Sequence, residues 1–305
     1  MATNVAERAA IPSVTALPPT TGVRVRSVAV TWGWRVFLGA VFLLLFGPLV
    51  ILMLFSVNDS NVLAFPLEGI TFHWYTDAFH DQLLHAALVN SIVVACIVAP
   101  VCLVLGTLTA FGLTRFRFRG RSAVSGLVGA PLILPWLIIG IAALMFYVRF
   151  NIDLSLNTVI ATQIICTFPL VAAIVGAQLF RFQRVQEEAA IDLGCSRMQV
   201  LRYIILPHIA PALAASAIFA FTWSFNNYEI SAFTIGFQQT FPVWVYSSVR
   251  NPDHTAIVNA ISTVISLVQV VLLWIALMFL RARSGDDATR GMLAGNEAVA
   301  STGRT

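Results

Sequence analysis

Side chains that could bind a metal ion or carry out redox chemistry are few in this 305-residue chain. His80 and His85 flank Asp81, but their spacing of five does not place them cleanly on one helical face. No third strong ligand is evident beside them, so we predict no metal site. Three of the four cysteines lie in apolar runs, which indicates small buried side chains, and the four show no C-x-x-C spacing that would indicate a redox centre. They are Cys96, Cys102, Cys166 and Cys195.

Nucleotide chemistry is limited by the type of basic residue that the chain contains. All eighteen basic residues are arginine, and none is lysine. A P-loop, G-x-x-x-x-G-K-[ST], needs its lysine to reach the terminal phosphates of the nucleotide. The chain therefore lacks this site, and any ATP hydrolysis must come from another subunit. We predict no catalytic residue, no cofactor and no nucleic-acid partner for the chain itself.

One charged segment lies between two apolar ones, EEAAIDLGCSRMQVLRYIILPHIAPAL at 187–213. Good helix formers at 186–193 carry acids in the first turn, where they interact favourably with the helix dipole. Gly194 follows, and glycine commonly closes a helix in the left-handed conformation. Ala189 and Ala190 leave little bulk on this helix, which suits close approach to another backbone. The pattern predicts a short helix over 186–193.

A second short helix is predicted directly after the glycine. Ser196 and Gln199 match the S-x-x-Q capping box that begins a helix, and Pro207 is predicted to end it. An apolar stripe on this helix would consist of Met198, Leu201 and Ile205. A bare connection between two helices needs only a handful of residues. The extra length favours a docking element for a soluble partner over a simple helical linker.

The segment also contains the pattern E-A-A-x3-G-x9-I-x-L-P. Its defined positions are Glu188, Ala189, Ala190, Gly194, Ile204, Leu206 and Pro207. At every one of them the chain resembles the cytoplasmic loop of permease subunits in binding-protein-dependent ABC importers. The resemblance implies a coupling helix that sits in a cleft of the ATPase subunit and transmits its closure to the membrane helices. Glu188 would then contact the ATPase, Gly194 would set the angle between the two short helices, and Pro207 would set the entry into the fifth span.

The resemblance covers about 34–283 and is to the spermidine/putrescine (polyamine) branch. Similar segments include LFGPLVILMLFSVNDS, GTLTAFGLTRFRFRG and FPVWVYSSV, and the chain looks most like the second of two related permeases. The implied partners are an ABC ATPase dimer, a second permease subunit in a heterodimer, an extracytoplasmic solute-binding protein and membrane lipids. The implied location is the bacterial inner (cytoplasmic) membrane, with several spans.

Hydropathy predicts the helices that must position these residues. Hydrophobic residues make up 58% of the chain and charged residues 10%, and the apolar runs of about twenty residues can cross a ~30 Å hydrocarbon core as helices. We predict an all-α membrane protein with six transmembrane helices, and the resemblance implies the type I ABC importer permease architecture. The predicted spans are 36–57, 86–113, 123–148, 158–180, 209–232 and 257–280. The permease domain then covers 34–283 and contains a coupling loop at 181–208, which we call the coupling segment. Disordered cytoplasmic tails are predicted on either side, at 1–33 and 284–305.

Arginine placement predicts the orientation of these spans. Sixteen arginines lie in or beside the tails, after span two, or between spans four and five, and only Arg149 and Arg250 lie on the other side. Cytoplasmic loops carry an excess of basic residues, so both termini are predicted to be cytoplasmic. The outer loops, 58–82 and 236–253, are rich in aromatic residues. Two compatible interpretations are an aromatic belt at the membrane surface and a docking surface for an extracytoplasmic partner.

Polar residues near the end of span five are candidates for a solute path. They are Trp223, Asn226, Asn227 and Glu229. On a continuous helix, Asn226 and Glu229 share one face, and Trp223 and Asn227 share the adjacent one. Glu229 is the only acid within the predicted spans, and at ~1.5 Å per residue it lies about 30 Å from Ile209. It therefore either lines the path or reaches the outer interface.

The polyamine permeases commonly have two aspartates at the positions of Asn226 and Asn227. The amides remove two negative charges that would favour a polycation, so the predicted solute is a polyamine or a related small organic solute.

The alternative to an ABC permease is a secondary transporter or channel driven by an ion gradient. Such proteins usually show internal repeats and ionisable residues near the midplane, and the sequence shows neither clearly. A membrane-embedded enzyme would need a cluster of catalytic side chains within the spans, which is not visible.

Overall fold

The computed structural model describes residues 21–251, 254–275 and 278. These residues are almost entirely helical, and an isolated β bridge joins Asn58 and Ile70. The prediction of an all-α protein is therefore confirmed for the described residues.

The chain divides into two units, of which the first ends at Leu54. Helix α1 (Thr21–Phe55) contains the apolar stretch Trp32–Phe55, which is long enough to cross a membrane. Helix thus covers 21–33, which is part of the predicted disordered tail. The remainder of that tail and the tail at 284–305 lie outside the described residues.

The second unit begins with two helices that meet at Asp81. They are α2 (His73–His80) and α3 (Gln82–Arg115). The Asp81 carboxylate accepts hydrogen bonds from two backbone N–H groups in the first turn of α3, at 2.8 and 3.1 Å. The rings of His80 and His85 each lie 2.7 Å from a backbone carbonyl of α2. Within the described residues, three or more metal-ligating side chains do not converge here or elsewhere.

The predicted third span, 123–148, consists of two helices instead of one. α4 (Arg121–Ile133) and α5 (Trp136–Arg149) are bent by 104° relative to each other. Pro135 explains the break, since its ring disfavours helical backbone at Leu134, which has ψ 139°. Five described helices are long and apolar enough to cross a membrane, or six if this bent pair is one span. The count of six therefore stays a prediction.

Three long helices pack together at the centre of the second unit. They are α3, α6 (Leu156–Arg181) and α9 (Leu206–Phe225). A Cβ built at Gly106 of α3 would lie 2.7 Å from the Cβ of Val171 of α6. The two backbones therefore approach closely, as small residues allow between membrane helices.

The cysteines differ in burial. Cys102 and Cys166 are fully buried, as predicted, and Cys195 is half-buried. Cys96 is exposed, contrary to prediction. It lies on α3 between Ala95 and Val98, which are buried, so its side chain points away from the packed face.

The segment between α6 and α9 is helical almost throughout. It contains α7 (Arg184–Asp192), α8 (Arg197–Val200) and a π-helical turn (Leu201–Ile205). α8, the turn and α9 form one stretch, Arg197–Phe225, which ends before the predicted end of span five at 232. The helices that follow are α10 (Ser231–Thr234), α11 (Phe241–Ser248) and α12 (Thr255–Ile275), of which α12 matches the sixth predicted span.

Candidate functional site

The first helix of the coupling segment (181–208) ends in a Schellman turn. Gly194 has φ +90°, and its N–H donates to the carbonyl of Ile191 at 2.9 Å. The N–H of Cys195 donates to the carbonyl of Ala190 at 3.0 Å. A Cβ at Gly194 would meet no atom within 4 Å, so this position needs glycine for its backbone conformation and not for space. The predicted helix end is confirmed.

The second helix begins with the predicted capping box. The Ser196 Oγ accepts from the backbone N–H of Gln199 at 3.3 Å, and the Gln199 Oε1 accepts from the backbone N–H of Ser196 at 2.7 Å. The capping box is therefore confirmed. Together with the Schellman turn, it fixes the connection between α7 and α8 by hydrogen bonds within the segment.

Pro207 does not end the second helix, contrary to prediction. It lies in the first turn of α9, and the π-helical turn stands immediately before it. The N–H of Leu206 donates to the carbonyl of Leu201, five residues back. The wider turn accommodates the proline ring, which in a regular helix would clash with the carbonyl four residues earlier. The helix therefore runs through this position.

The π-helical turn also changes which side chains face the core. Val200, Ile205 and Ile209 are buried, whereas Met198 is 69% exposed. The predicted stripe of Met198, Leu201 and Ile205 is therefore wrong at Met198. The extra residue in the wider turn shifts the helical phase between Met198 and Ile205.

Two contacts join α7 to the C-terminal end of α3. Glu187 forms an ion pair with Arg115, and the two side chains are only 18% and 13% exposed. Arg184 donates from Nη2 to the backbone carbonyl of Thr114 at 2.9 Å. Sequence reasoning missed these partners because they lie about seventy positions apart, and no local pattern connects them.

The motif residues divide between the interior and the surface. Ala190 is buried in the core and Ile204 is half-buried, whereas the remaining motif residues are exposed, Glu188, Ala189, Gly194, Leu206 and Pro207. Two apolar neighbours are strongly exposed as well, Leu193 at 87% and Met198 at 69%. We call Glu188, Ala189, Leu193 and Met198 the exposed face of the coupling segment. Apolar side chains rimmed by polar ones are typical of a protein interaction surface.

Trp223 and Asn226 lie at the far end of α9. The centroid of the Trp223 ring is 4.7 Å from that of Trp136 and 5.4 Å from that of Phe219. The Asn226 Oδ1 accepts a hydrogen bond from Gln269 of α12 at 3.2 Å. These residues form an aromatic and amide patch, and the contributions of Trp136 and Gln269 were not found from the sequence.

Asn227 and Glu229 lie beyond the helix end and do not continue that face. Asn227 is 4% exposed, and its Oδ1 accepts from the N–H of Ile230 at 3.0 Å. Glu229 is exposed. A Cβ added at Gly140 of α5 would lie 2.7 Å from the Glu229 carbonyl oxygen, so the two backbones pack closely there. The predicted pairing of Asn226 with Glu229 on one helical face, and of Trp223 with Asn227 on the next, is wrong because α9 ends at Phe225. For the same reason, the distance of about 30 Å from Ile209, counted along a continuous helix, does not apply to Glu229.

A buried polar network stabilises the end of α9. Gln163 of α6 is 1% exposed. Its Oε1 accepts from the Ser224 hydroxyl at 2.5 Å, and its Nε2 donates to the Ser231 hydroxyl at 3.1 Å. Buried polar groups require such partners, and these bonds connect both sides of the helix break to α6. A glutamine inside an apolar run is the sequence signal that could have indicated this network.

A tyrosine and an arginine pair on the outer loop 236–253. Arg250 donates from Nη2 to the Tyr246 hydroxyl at 2.7 Å, and its guanidinium lies 4.6 Å from the centroid of the Tyr246 ring. The hydrogen bond and the positive charge lower the pKa of Tyr246. The ring of Tyr228 lies 4.7 Å from that of Tyr246, so the loop presents a partly exposed aromatic cluster.

Residues 103–284, which contain the coupling segment and the patch, match the family described as the binding-protein-dependent transport system inner membrane component. This chain belongs to that family. The permease is 30% identical over 259 residues to the spermidine/putrescine transport system permease protein PotC of Escherichia coli (strain K12), covering 84% of this chain and 94% of that protein. It is 31% identical over 244 residues to the putrescine transport system permease protein PotI of the same strain, covering 76% and 85%.

The fold of the permease resembles that of a bacterial ABC transporter involved in the import of the acidic polysaccharide alginate. The TM-score is 0.66 at 16% identity, covering 86% of this chain and 98% of that one. At this identity, the likeness concerns the type I ABC permease fold alone. The chain is thus a permease component of an ABC importer and a multi-pass protein of the inner membrane, as predicted. The family does not support the alternative of an ion-driven transporter or channel.

Proposed function

We propose that this permease forms half of the path for a small solute, and that a separate ABC ATPase dimer drives it through the coupling segment. The observation that carries the proposal is the helical stretch Arg197–Phe225, which begins at the coupling segment and ends at the aromatic and amide patch. At ~1.5 Å per residue its 29 residues extend about 44 Å. A displacement of the coupling segment would therefore move the patch as part of the same element.

The proposed ATPase contact is the exposed face of the coupling segment. Leu193 and Met198 would enter an apolar cleft, and Glu188 would bind a polar group at its edge. The hydrogen-bonded turn at Gly194 keeps α7 and α8 at a fixed angle, and Pro207 marks the entry into α9. Glu187 and Arg184 connect α7 to α3, so a second long helix would receive the same force.

The proposed solute is a polyamine such as spermidine or putrescine, or a related small organic solute. The names of PotC and PotI support this class. Trp223 and Asn226 would line the path, since aromatic faces and amide oxygens both interact with ammonium groups. Exposed Glu229 would add a negative charge, whereas the Asn227 amide oxygen accepts a bond within its own turn.

The remaining proposed partners complete the assembly. A second permease subunit in a heterodimer would cover the patch and close the path from the other side. An extracytoplasmic solute-binding protein would dock on the outer loops 58–82 and 236–253, where the Tyr246 cluster lies.

Two adjacent alanines test the coupling proposal. Ala189→Tyr changes an exposed position, so we expect a folded permease that loses most ATP-driven uptake and no longer co-purifies with the ATPase. Ala190→Tyr inserts a ring into the core, so we expect a lower melting temperature and less permease in the membrane. The measurements are uptake of radiolabelled putrescine or spermidine, ATPase recovery on the purified permease, and thermal stability. Normal uptake and normal ATPase recovery in Ala189→Tyr would contradict the coupling assignment.

A further inference from the structure

A cavity of about 350 Å³ lies between the C-terminal ends of α3 and α6 and the start of α4. Arginine supplies four of its eight lining residues. The residues are Thr114, Arg115, Arg117, Arg121, Leu179, Phe180, Phe182 and Arg184. None of these lining residues is acidic, so the cavity concentrates positive charge.

The four arginines are not equally occupied by protein partners. Arg115 pairs with Glu187, and Arg184 donates to the carbonyl of Thr114. The side chains of Arg117 and Arg121 make no hydrogen bond or ion pair with any residue that the structure describes, and both residues are exposed at the cavity. The four arginines carry four positive charges and Glu187 carries one negative charge, so the cavity has an excess of three positive charges.

The start of α4 adds to this field. Its N-cap is Gly120, which has no side chain to accept hydrogen bonds from the first backbone N–H groups, and its first turn contains no acid. The N-terminal end of a helix carries a partial positive charge and presents N–H groups to an anion. Since Arg121 begins α4 and also lines the cavity, both sources of positive charge act on the same space.

The surroundings of the cavity match a membrane surface. Phe116, Phe118 and Phe180 are 65%, 44% and 87% exposed. Two of them alternate with arginines in the sequence RFRFRGR at 115–121. Exposed phenylalanines beside arginines are typical of segments that place apolar rings among acyl chains and cations among headgroups. The cavity also lies at the ends of two apolar helices long enough to span the bilayer.

We propose that this cavity binds the phosphate of an anionic phospholipid headgroup in the cytoplasmic leaflet. Arginine can donate two parallel hydrogen bonds to phosphate oxygens, and the side chains of Arg117 and Arg121 are available for this at the cavity. The leaflet follows from the arginine distribution, and the site does not depend on coupling to an ATPase. A lipid bound here would lie against the residues that attach α7 to α3.

The test is lipid binding by the full-length permease, purified with any subunits that accompany it. The delipidated protein is titrated with phosphatidylglycerol or with phosphatidylcholine of the same acyl chains, and native mass spectrometry counts the bound lipid. We expect the wild type to prefer phosphatidylglycerol. In the double variant Arg117→Gln/Arg121→Gln we expect the affinity for phosphatidylglycerol to fall about 25-fold, roughly fivefold for each arginine, with little change for phosphatidylcholine.

A matched control removes two charges from the same side of the protein without touching the cavity. Arg119→Gln/Arg181→Gln serves this purpose, because neither residue lines the cavity. An equal loss in this control would overturn the proposal in favour of general charge attraction. Displacement of the lipid by millimolar inorganic phosphate would assign the cavity to a soluble anion instead. If the variant Arg117→Gln/Arg121→Gln bound lipid normally but no longer co-purified with the ATPase, the cavity would be assigned to a protein partner.

Discussion

Gly194 is the residue on which the shape of the coupling segment depends most directly. Its φ of +90° is unfavourable for residues with a Cβ, and two hydrogen bonds hold it in this conformation. No atom within 4 Å would contact an added Cβ. A substitution here therefore tests backbone conformation separately from packing.

We predict that Gly194→Val impairs the permease and that Gly194→Asn largely spares it. Valine is β-branched and disfavours positive φ, so we expect a loss of about 1–2 kcal/mol in stability or a changed angle between α7 and α8. Asparagine adopts the left-handed region far more readily. ATP-driven uptake should be abolished in the valine variant and retained in the asparagine variant, with both proteins inserted in the membrane. Equal uptake by the valine variant and the wild type would show that the turn does not set the coupling geometry.

At the scale of elements, the attachment of α7 to α3 is as important as the turn within the coupling segment. Only one acid of the EEAA sequence takes part, because Glu187 faces Arg115 and Glu188 is exposed. Neighbouring acids on one helix point about 100° apart, so one can be structural while the other is available to a partner. This division gives two adjacent, chemically identical side chains with different expected effects.

We predict that Glu187→Gln destabilises the permease more than Glu188→Gln does. Removing the Glu187 charge leaves the mostly buried Arg115 guanidinium without its ionic partner, at a cost of about 2 kcal/mol, between the values for buried and surface pairs. Glu188→Gln should change stability by less than about 0.5 kcal/mol while weakening ATPase binding. Thermal unfolding of the two variants in the same detergent makes the comparison. A larger stability loss in Glu188→Gln would reverse the assignment of the two acids.

Local signals in the sequence predicted the elements that depend on neighbouring residues. The helix end at Gly194 and the Ser196/Gln199 box involve hydrogen bonds over a few positions, and both are confirmed. The sequence did not predict the passage of helix through Pro207, because the π-helical turn that permits it has no local signature. The end of α9 at Phe225 was missed for a related reason, since its stabilising partner, Gln163, lies on another helix.

At the scale of the whole molecule, the described part of the second unit separates two kinds of surface. The arginines after α3 and the coupling segment lie at one end of the long helices, and the aromatic outer loops, with Arg250, lie at the other. Hydropathy located the apolar stretches well because a spanning helix must satisfy its own backbone. It could not distinguish a straight span from the pair α4 and α5, since hydropathy averages over the break at Pro135.

We predict that the coupling segment faces the cytoplasm and the loop 58–82 faces outward. Leu193→Cys and Val62→Cys place thiols at exposed positions of these segments. The background carries Cys96→Ser and Cys195→Ser, because these two native thiols are exposed or half-buried, whereas the other two are fully buried. In intact cells, a membrane-impermeant maleimide should label the Val62→Cys variant only. In inverted vesicles washed with urea to remove peripheral subunits, it should label the Leu193→Cys variant only.

The cysteine-depleted background without either new thiol sets the level of unspecific labelling. Labelling of Leu193→Cys in intact cells would reverse the orientation and separate the coupling segment from any cytoplasmic ATPase, even though the fold itself would stay unchanged.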